Sequence, residues 1–184
     1  MGLFDFLKKK EKEPEYDVTN LTVKDLKIGF ILDYDLKSWV IKEMYEYDWG
    51  NNNFSYGFML DSGDDVVYLD VEDKGEMYLT VTRPVKMRLL GDGIKDYIIK
   101  NESPPERIVY ENETYYLESD SAGYFTDITK GENAGESASM ISWELFNEDE
   151  DKVIGIIQWD ERNIEASAGV VIKDYDISNI IPGQ

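Results

Sequence analysis

From residue 29 onward, apolar and polar side chains alternate with the two-residue period of a half-buried β-strand. In SWVIKEMYEYDW one face carries Trp39, Ile41, Tyr45, Tyr47 and Trp49, and the other carries Lys42, Glu46 and Asp48. Gly50, Asn51, Asn52 and Asn53 then read as a turn, because Gly and Asn tolerate positive φ. The next run groups Phe54, Tyr56, Phe58 and Leu60, and Asp61, Ser62, Gly63 and Asp64 turn the chain into a third strand with Val67, Leu69 and Val71 on one face. After Lys74 and Gly75, Met77, Leu79 and Val81 alternate with Tyr78, Thr80 and Thr82. Four strands joined by short turns predict an antiparallel meander.

The same order returns after residue 107. ILDYDLKSW aligns with RIVYENETY at a shift of 76, matching Tyr34 to Tyr110 and Trp39 to Tyr115. FSYGFML aligns with ISWELFN at a shift of 87, matching Tyr56 to Trp143 and Phe58 to Leu145. The difference of 11 residues sits where the GNNN turn becomes TDITKGENAGESAS, so one loop insertion accounts for both shifts. IKDYIIKN from Ile94 and IKDYDISN from Ile172 also agree at six of eight positions, at a shift of 78. Ser103, Pro104 and Pro105 mark a joint, since proline cannot donate to a sheet ladder.

The prediction is an all-β fold of two pseudo-repeated antiparallel four-strand units, packed as small barrels or a sandwich. The first unit spans 19–100 and the second 101–184. Residues 1–18 form a short N-terminal appendage, amphipathic and flexible. In it Leu3, Phe4 and Leu7 share one face of a short helix, Lys8, Lys9 and Lys10 follow, and Pro14 interrupts the helix. This is the candidate contact with a membrane or a partner. Its apolar part is too short for a secretory signal, and Phe6 stands where N-myristoylation requires Ser or Thr.

Composition removes many functions. The 184 residues include no cysteine and no histidine, which takes away disulfides, thiolate nucleophiles, Ser–His triads and most transition-metal sites. The net charge is −20, and residues 101–184, with 19 acids and 5 bases, hold −14 of it. Such a field repels phosphate backbones and favours cationic partners, so no nucleic-acid partner is expected. No stretch approaches the roughly 20 apolar residues of a membrane span, and the expected location is the cytoplasm, with peripheral contact at the inner membrane through the N-terminus.

Candidate chemistry is sparse. Acid-rich turns at 61–65 and 147–151 suit hard cations but lack EF-hand spacing and read as ordinary hairpin turns, so no metal and no cofactor is assigned. The long loop 126–139 carries Lys130 and Glu132, and loops of this length often carry function. Aromatic side chains beside carboxylates would form a cage for an amine, and the candidate ligand residues are Trp39, Tyr56, Trp143, Glu144, Lys130 and Glu132. No spacing singles out a catalytic carboxylate pair, so no enzyme activity and no catalytic residue is expected.

LTVKDLKIGFILDYDLKSWVIKEM, followed by FSYGFMLDSGDDVVYLDVED, resembles the bacterial family catalogued as domain of unknown function 4178. Leu26, Gly29, Tyr34, Trp39, Tyr56, Leu60, Leu69 and Glu72 carry the likeness. SYGFML stands where the family more often has a Trp-Glu-Tyr phrase, whose nearest echo here is Trp143 and Glu144. The resemblance implies no established activity, and it implies genes near those of PspA-like membrane-stress proteins and polyamine-synthesis enzymes. The expected function is a non-catalytic binding or adaptor module with an unidentified protein partner. The alternatives are a receptor for a small cationic ligand such as a polyamine, and a carboxylate-based enzyme.

Overall fold

The computed structural model describes residues 20–131 and 134–183. The first half supplies β1 (Ile31–Tyr34), β2 (Lys37–Asp48), β3 (Phe54–Asp61), β4 (Val66–Asp73) and β5 (Met77–Val85). One helix, α1 (Ile94–Asn101), leads into the second half. That half supplies β6 (Arg107–Tyr110), β7 (Glu113–Asp127), β8 (Ala138–Phe146), β9 (Lys152–Gln158), β10 (Ile164–Ile172) and β11 (Ser178–Ile181). The all-β expectation holds, and the repeat appears strand for strand. The tight turns match too: Asp35 and Leu36 at positive φ correspond to Glu111 and Asn112, the left-handed pair that two-residue hairpins require.

All eleven strands form one antiparallel sheet in the order β11-β1-β2-β3-β4-β5-β10-β9-β8-β7-β6, and a further pairing of β2 with β7 closes eight of them into a ring. Each half contributes four strands, β2 to β5 and β7 to β10, to a single shared barrel. The closure depends on two long strands that change partner midway. β2 pairs with β1 through Lys37–Val40 and with β7 through Tyr45–Asp48, and between them its register against β3 slips by one residue, between Ile41 and Glu43. β7 repeats the slip between Leu117 and Ser119.

A one-residue bulge sends every later side chain to the other face. Trp39 and Ile41 therefore point into an apolar cluster outside the ring, while Tyr45 and Tyr47 line its interior. This corrects the expectation that all four share one face: the alternation in the letters continues through Lys42, but the pairing does not. The equivalent extra residue is Glu118, at the repeat shift of 76.

Two apolar clusters lie outside the ring. The first is built on Trp39, Ile41, Leu60, Leu69 and Leu79; the second on Tyr115, Trp143, Leu145, Ile154 and Ile156. Full burial of each such side chain contributes about 2 kcal/mol. The covers are exchanged between halves. Leu90 and Ile98, which follow the first half's last barrel strand, pack in the second cluster; Ile172 and Ile177, at the end of the second half, pack in the first. The boundary expected near residue 100 falls inside α1. The sequence match between IKDYIIKN and IKDYDISN yields a helix in one place and a 3-10 turn plus β11 in the other.

Both seams between the halves need glycine. A Cβ on Gly169 would collide with the Val81 carbonyl of β5, and one on Gly123 with the Asp48 carbonyl of β2.

Candidate functional site

Because the apolar side of the sheet is spent on the two outer clusters, the polar side of the strands faces inward and lines a lumen. On β5 these are Tyr78, Thr80 and Thr82; on β8, Ser142 and Glu144; on β4, Asp70 and Glu72. Thr80 and Thr82 are buried. Solvent-facing strand positions usually carry long charged side chains, whereas small hydroxyls fit a confined interior.

Two carboxylates occupy the centre. Asp70 lies opposite Gly57 of β3 and Thr80 of β5, and Glu144 lies opposite Gly155 of β9 and Ser119 of β7. In each case one sheet neighbour is a glycine. A Cβ at Gly57 would sit 3.0 Å from Asp70 Oδ1, so the missing side chain is the space the carboxylate uses. Glu144 accepts from Ser119 Oγ at 3.2 Å. No Lys or Arg forms an ion pair with Asp70 among the described residues.

Burial pushes the Asp70 carboxyl up to about 7, and the Glu144 charge adds to the rise. Asp70 borders the lumen and keeps some free surface, and its depth in the barrel governs its loss of hydration. Glu144 is raised as well, first by burial, with Lys74 and the Ser119 hydroxyl pulling the other way. Tyr78, in the field of Glu144, Glu72 and Asp70, is raised mainly by burial, and its hydroxyl is buried without a hydrogen-bond partner among the described residues.

The lumen has two mouths. At the end formed by the turns 49–53 and 74–76 lies a cavity of about 190 Å³. There Lys74 Nζ is 2.9 Å from Glu72 and 4.6 Å from the centre of the Tyr78 ring. The other end opens into a cavity of about 640 Å³ with an aromatic wall. Phe125 packs there against Tyr45 at 5.3 Å, Tyr47 at 5.6 Å and, edge on, Trp159 at 5.1 Å. Tyr47, Asp70, Thr82, Gly155 and Ser167 border both cavities, which places Asp70 where they meet.

Of the described residues among those expected from sequence, only Glu144 faces this lumen. Trp39 and Trp143, each 2% exposed, belong to the outer clusters, and the Trp39 indole donates to the Tyr34 carbonyl. Tyr56 packs against the first cluster from its edge. These three therefore do not form a cage with Glu144; the aromatic wall comes from Tyr45, Tyr47, Phe125 and Trp159 instead. Lys130 is exposed, and Glu132 lies outside the described residues, as do Leu3, Phe4, Leu7, Lys8, Lys9 and Lys10. The long loop is tied to the β2–β7 seam: Ile128 N donates to Met44 O, and Met44 N donates to Thr129 Oγ1. The turn at 61–65 is held by Lys37 on Asp64 and Arg83 on Asp65. No cluster of three or more metal-ligating side chains occurs among the described residues.

The sequence profile described as Domain of unknown function (DUF4178) matches residues 27–174. The chain belongs to this family. It is also similar to an uncharacterized protein of Aquifex aeolicus (strain VF5), 26% identical over 178 residues that cover 96% of this chain and 94% of the relative. No solved structure matches the fold. DUF4178 members share a profile spanning β1 to β10, so Asp70 and Glu144 both fall within the family region. No helix among the described residues is long and apolar enough to cross a membrane.

Proposed function

We propose that this DUF4178 chain is a non-catalytic binding protein whose barrel lumen takes a small organic cation. The observation that carries the reading is the pair of lumen carboxylates, Asp70 and Glu144, close enough for Glu144 to raise the Asp70 pKa while no Lys or Arg among the described residues pairs with Asp70. Enclosing two like charges is unfavourable, and a bound cation converts that repulsion into attraction in a medium where charge pairs are weakly screened. The Ser119 hydroxyl supplies a hydrogen-bond acceptor for an N–H donor, and the aromatic faces add cation–π attraction. The overall charge of −20 raises the local concentration of cations at the mouths.

The test is thermal melting of the full chain with and without primary amines at pH 8. Ligand at 100 times its dissociation constant stabilises by about 2.7 kcal/mol, seen as a rise of several degrees. The rise is lost in an Asp70→Asn, Glu144→Gln double variant, and mass spectrometry recovers the amine unchanged. No rise with any amine at millimolar concentration rejects the reading, and turnover of the amine rejects its non-catalytic part.

A further inference from the structure

The two ends of the lumen are not equivalent, and the difference constrains what enters. At the narrow end the protein already places an ammonium of its own. Lys74, on the β4–β5 turn, sets its Nζ against the Glu72 carboxylate and over the face of Tyr78, and its charge lowers the proton affinity of Glu144. Those are the three partners an incoming ammonium would use there. Lys74 therefore occupies the outer cation position as a tethered plug, and the cavity behind it, about 190 Å³, is less than a third the size of the 640 Å³ at the wide end.

The wide end has the complementary character. Its 640 Å³ falls within the range of small-molecule sites, about 300–1,000 Å³. Tyr45, Phe125 and Trp159 form one side, with Tyr68 and Ile164 also facing the space, and the charged groups Lys86 and Glu165 are exposed at the rim. Of the two carboxylates that line this cavity among the described residues, Asp70 lies at its base and Glu165 at its exposed rim. The Trp159 indole is held in place by donating to Glu165 at 3.0 Å. A single buried anion below an aromatic sleeve matches one charge attached to an apolar body. A linear polyamine laid along the sleeve would leave a second ammonium beside aromatic rings until it reaches Glu165 at the exposed rim, whose carboxylate already holds the Trp159 indole.

From these two ends together, resting on the lumen reading above, we infer that the ligand is a monoamine with an aromatic or branched apolar body. It enters by the Trp159 mouth, seats its ammonium on Asp70 and lays its body along Phe125 and Trp159, while Lys74 excludes cations from the opposite mouth.

The experiment is calorimetric titration of the full chain at pH 8 with phenethylamine, putrescine and spermidine. Phenethylamine is expected to bind about tenfold more tightly than putrescine, the scale of a desolvated cation–π contact plus apolar burial. Trp159→Phe retains an aromatic wall, and it should remove most of the fluorescence change that phenethylamine produces. Lys74→Met opens the narrow mouth and should raise putrescine affinity about fivefold, narrowing the preference. Tighter binding of putrescine or spermidine than of phenethylamine overturns the inference and leaves the cation-binding lumen standing. So does an unchanged preference in Lys74→Met, or a fluorescence response that survives Trp159→Phe. Failure of all three amines to bind overturns both.

Discussion

Asp70 shows how one side chain ties stability to function. Below about pH 4 its carboxyl is protonated in folded and unfolded chains alike. As pH rises toward 7 the unfolded chain releases the proton while the folded one, with its carboxyl held up to about 7, retains it, so this group makes stability fall with rising pH. The limiting slope is about 1.4 kcal/mol per pH unit, and it levels off once both states are ionised. Surface carboxylates act in the opposite sense at lower pH: Asp64, held down by Ser62 and Lys37, and Asp65, held down by Arg83, stabilise the fold above the unfolded carboxylate range. Comparison with Asp70→Asn separates the two effects. Urea midpoints at pH 5 and pH 8 should show the variant gaining about 2–3 kcal/mol on the wild type across that interval. Parallel profiles would mean that Asp70 ionises as freely in the barrel as in water.

At the scale of elements, the two bulges decide which side chains reach the lumen. Lys42 and Glu118 are exposed and make no ion pair among the described residues, so replacing either by alanine should change stability by no more than about 0.5 kcal/mol. Deleting either is a different matter. Removal of Lys42 leaves every later β2 residue opposite its native β3 partner, so Tyr45 and Tyr47 still face the lumen, but it takes away the local bend at which β2 leaves β1 and reaches β7. The deletion should lower the melting temperature by about four to eight degrees, about 2 kcal/mol, whereas Lys42→Ala melts like the wild type; equal melting of deletion and substitution would remove the bulge from the account. This is also where the sequence stops being legible. Period-two alternation located nearly every strand and both repeats, because apolar side chains on one face are what those strands need. A bulge leaves that letter pattern intact and acts only through pairing with β3 and β8. For the same reason Tyr45 and Tyr47 looked like core companions of Trp39. The lumen did leave a trace in the letters: Tyr78-Leu79-Thr80-Val81-Thr82 alternates apolar residues with small hydroxyls instead of lysines and glutamates, as expected of a strand enclosed on both faces.

For the whole molecule, the shared ring and the exchanged covers make the halves interdependent. Cutting the chain at the Ser103–Pro105 joint leaves fragment 20–103 with β2 and β5 as open edges and without Ile172 and Ile177 over its cluster. Fragment 104–183 has β7 and β10 open and lacks Leu90 and Ile98. Unpaired edges and uncovered apolar faces favour association over folding. The proline joint nevertheless reads in sequence as a domain boundary, since a local pattern records where a repeat ends and carries nothing of which half its closing segment covers. Each fragment expressed alone should lack a cooperative thermal transition and run as aggregate on size exclusion. Mixing the two from denaturant should recover one species of native size with a single transition and, with it, the amine response, because Asp70 and Glu144 come from opposite fragments. Independent monomeric folding of either fragment with a native-like melting curve would show instead that the lumen forms where two self-sufficient domains meet, and the site would then depend on their docking and not on closure of one barrel.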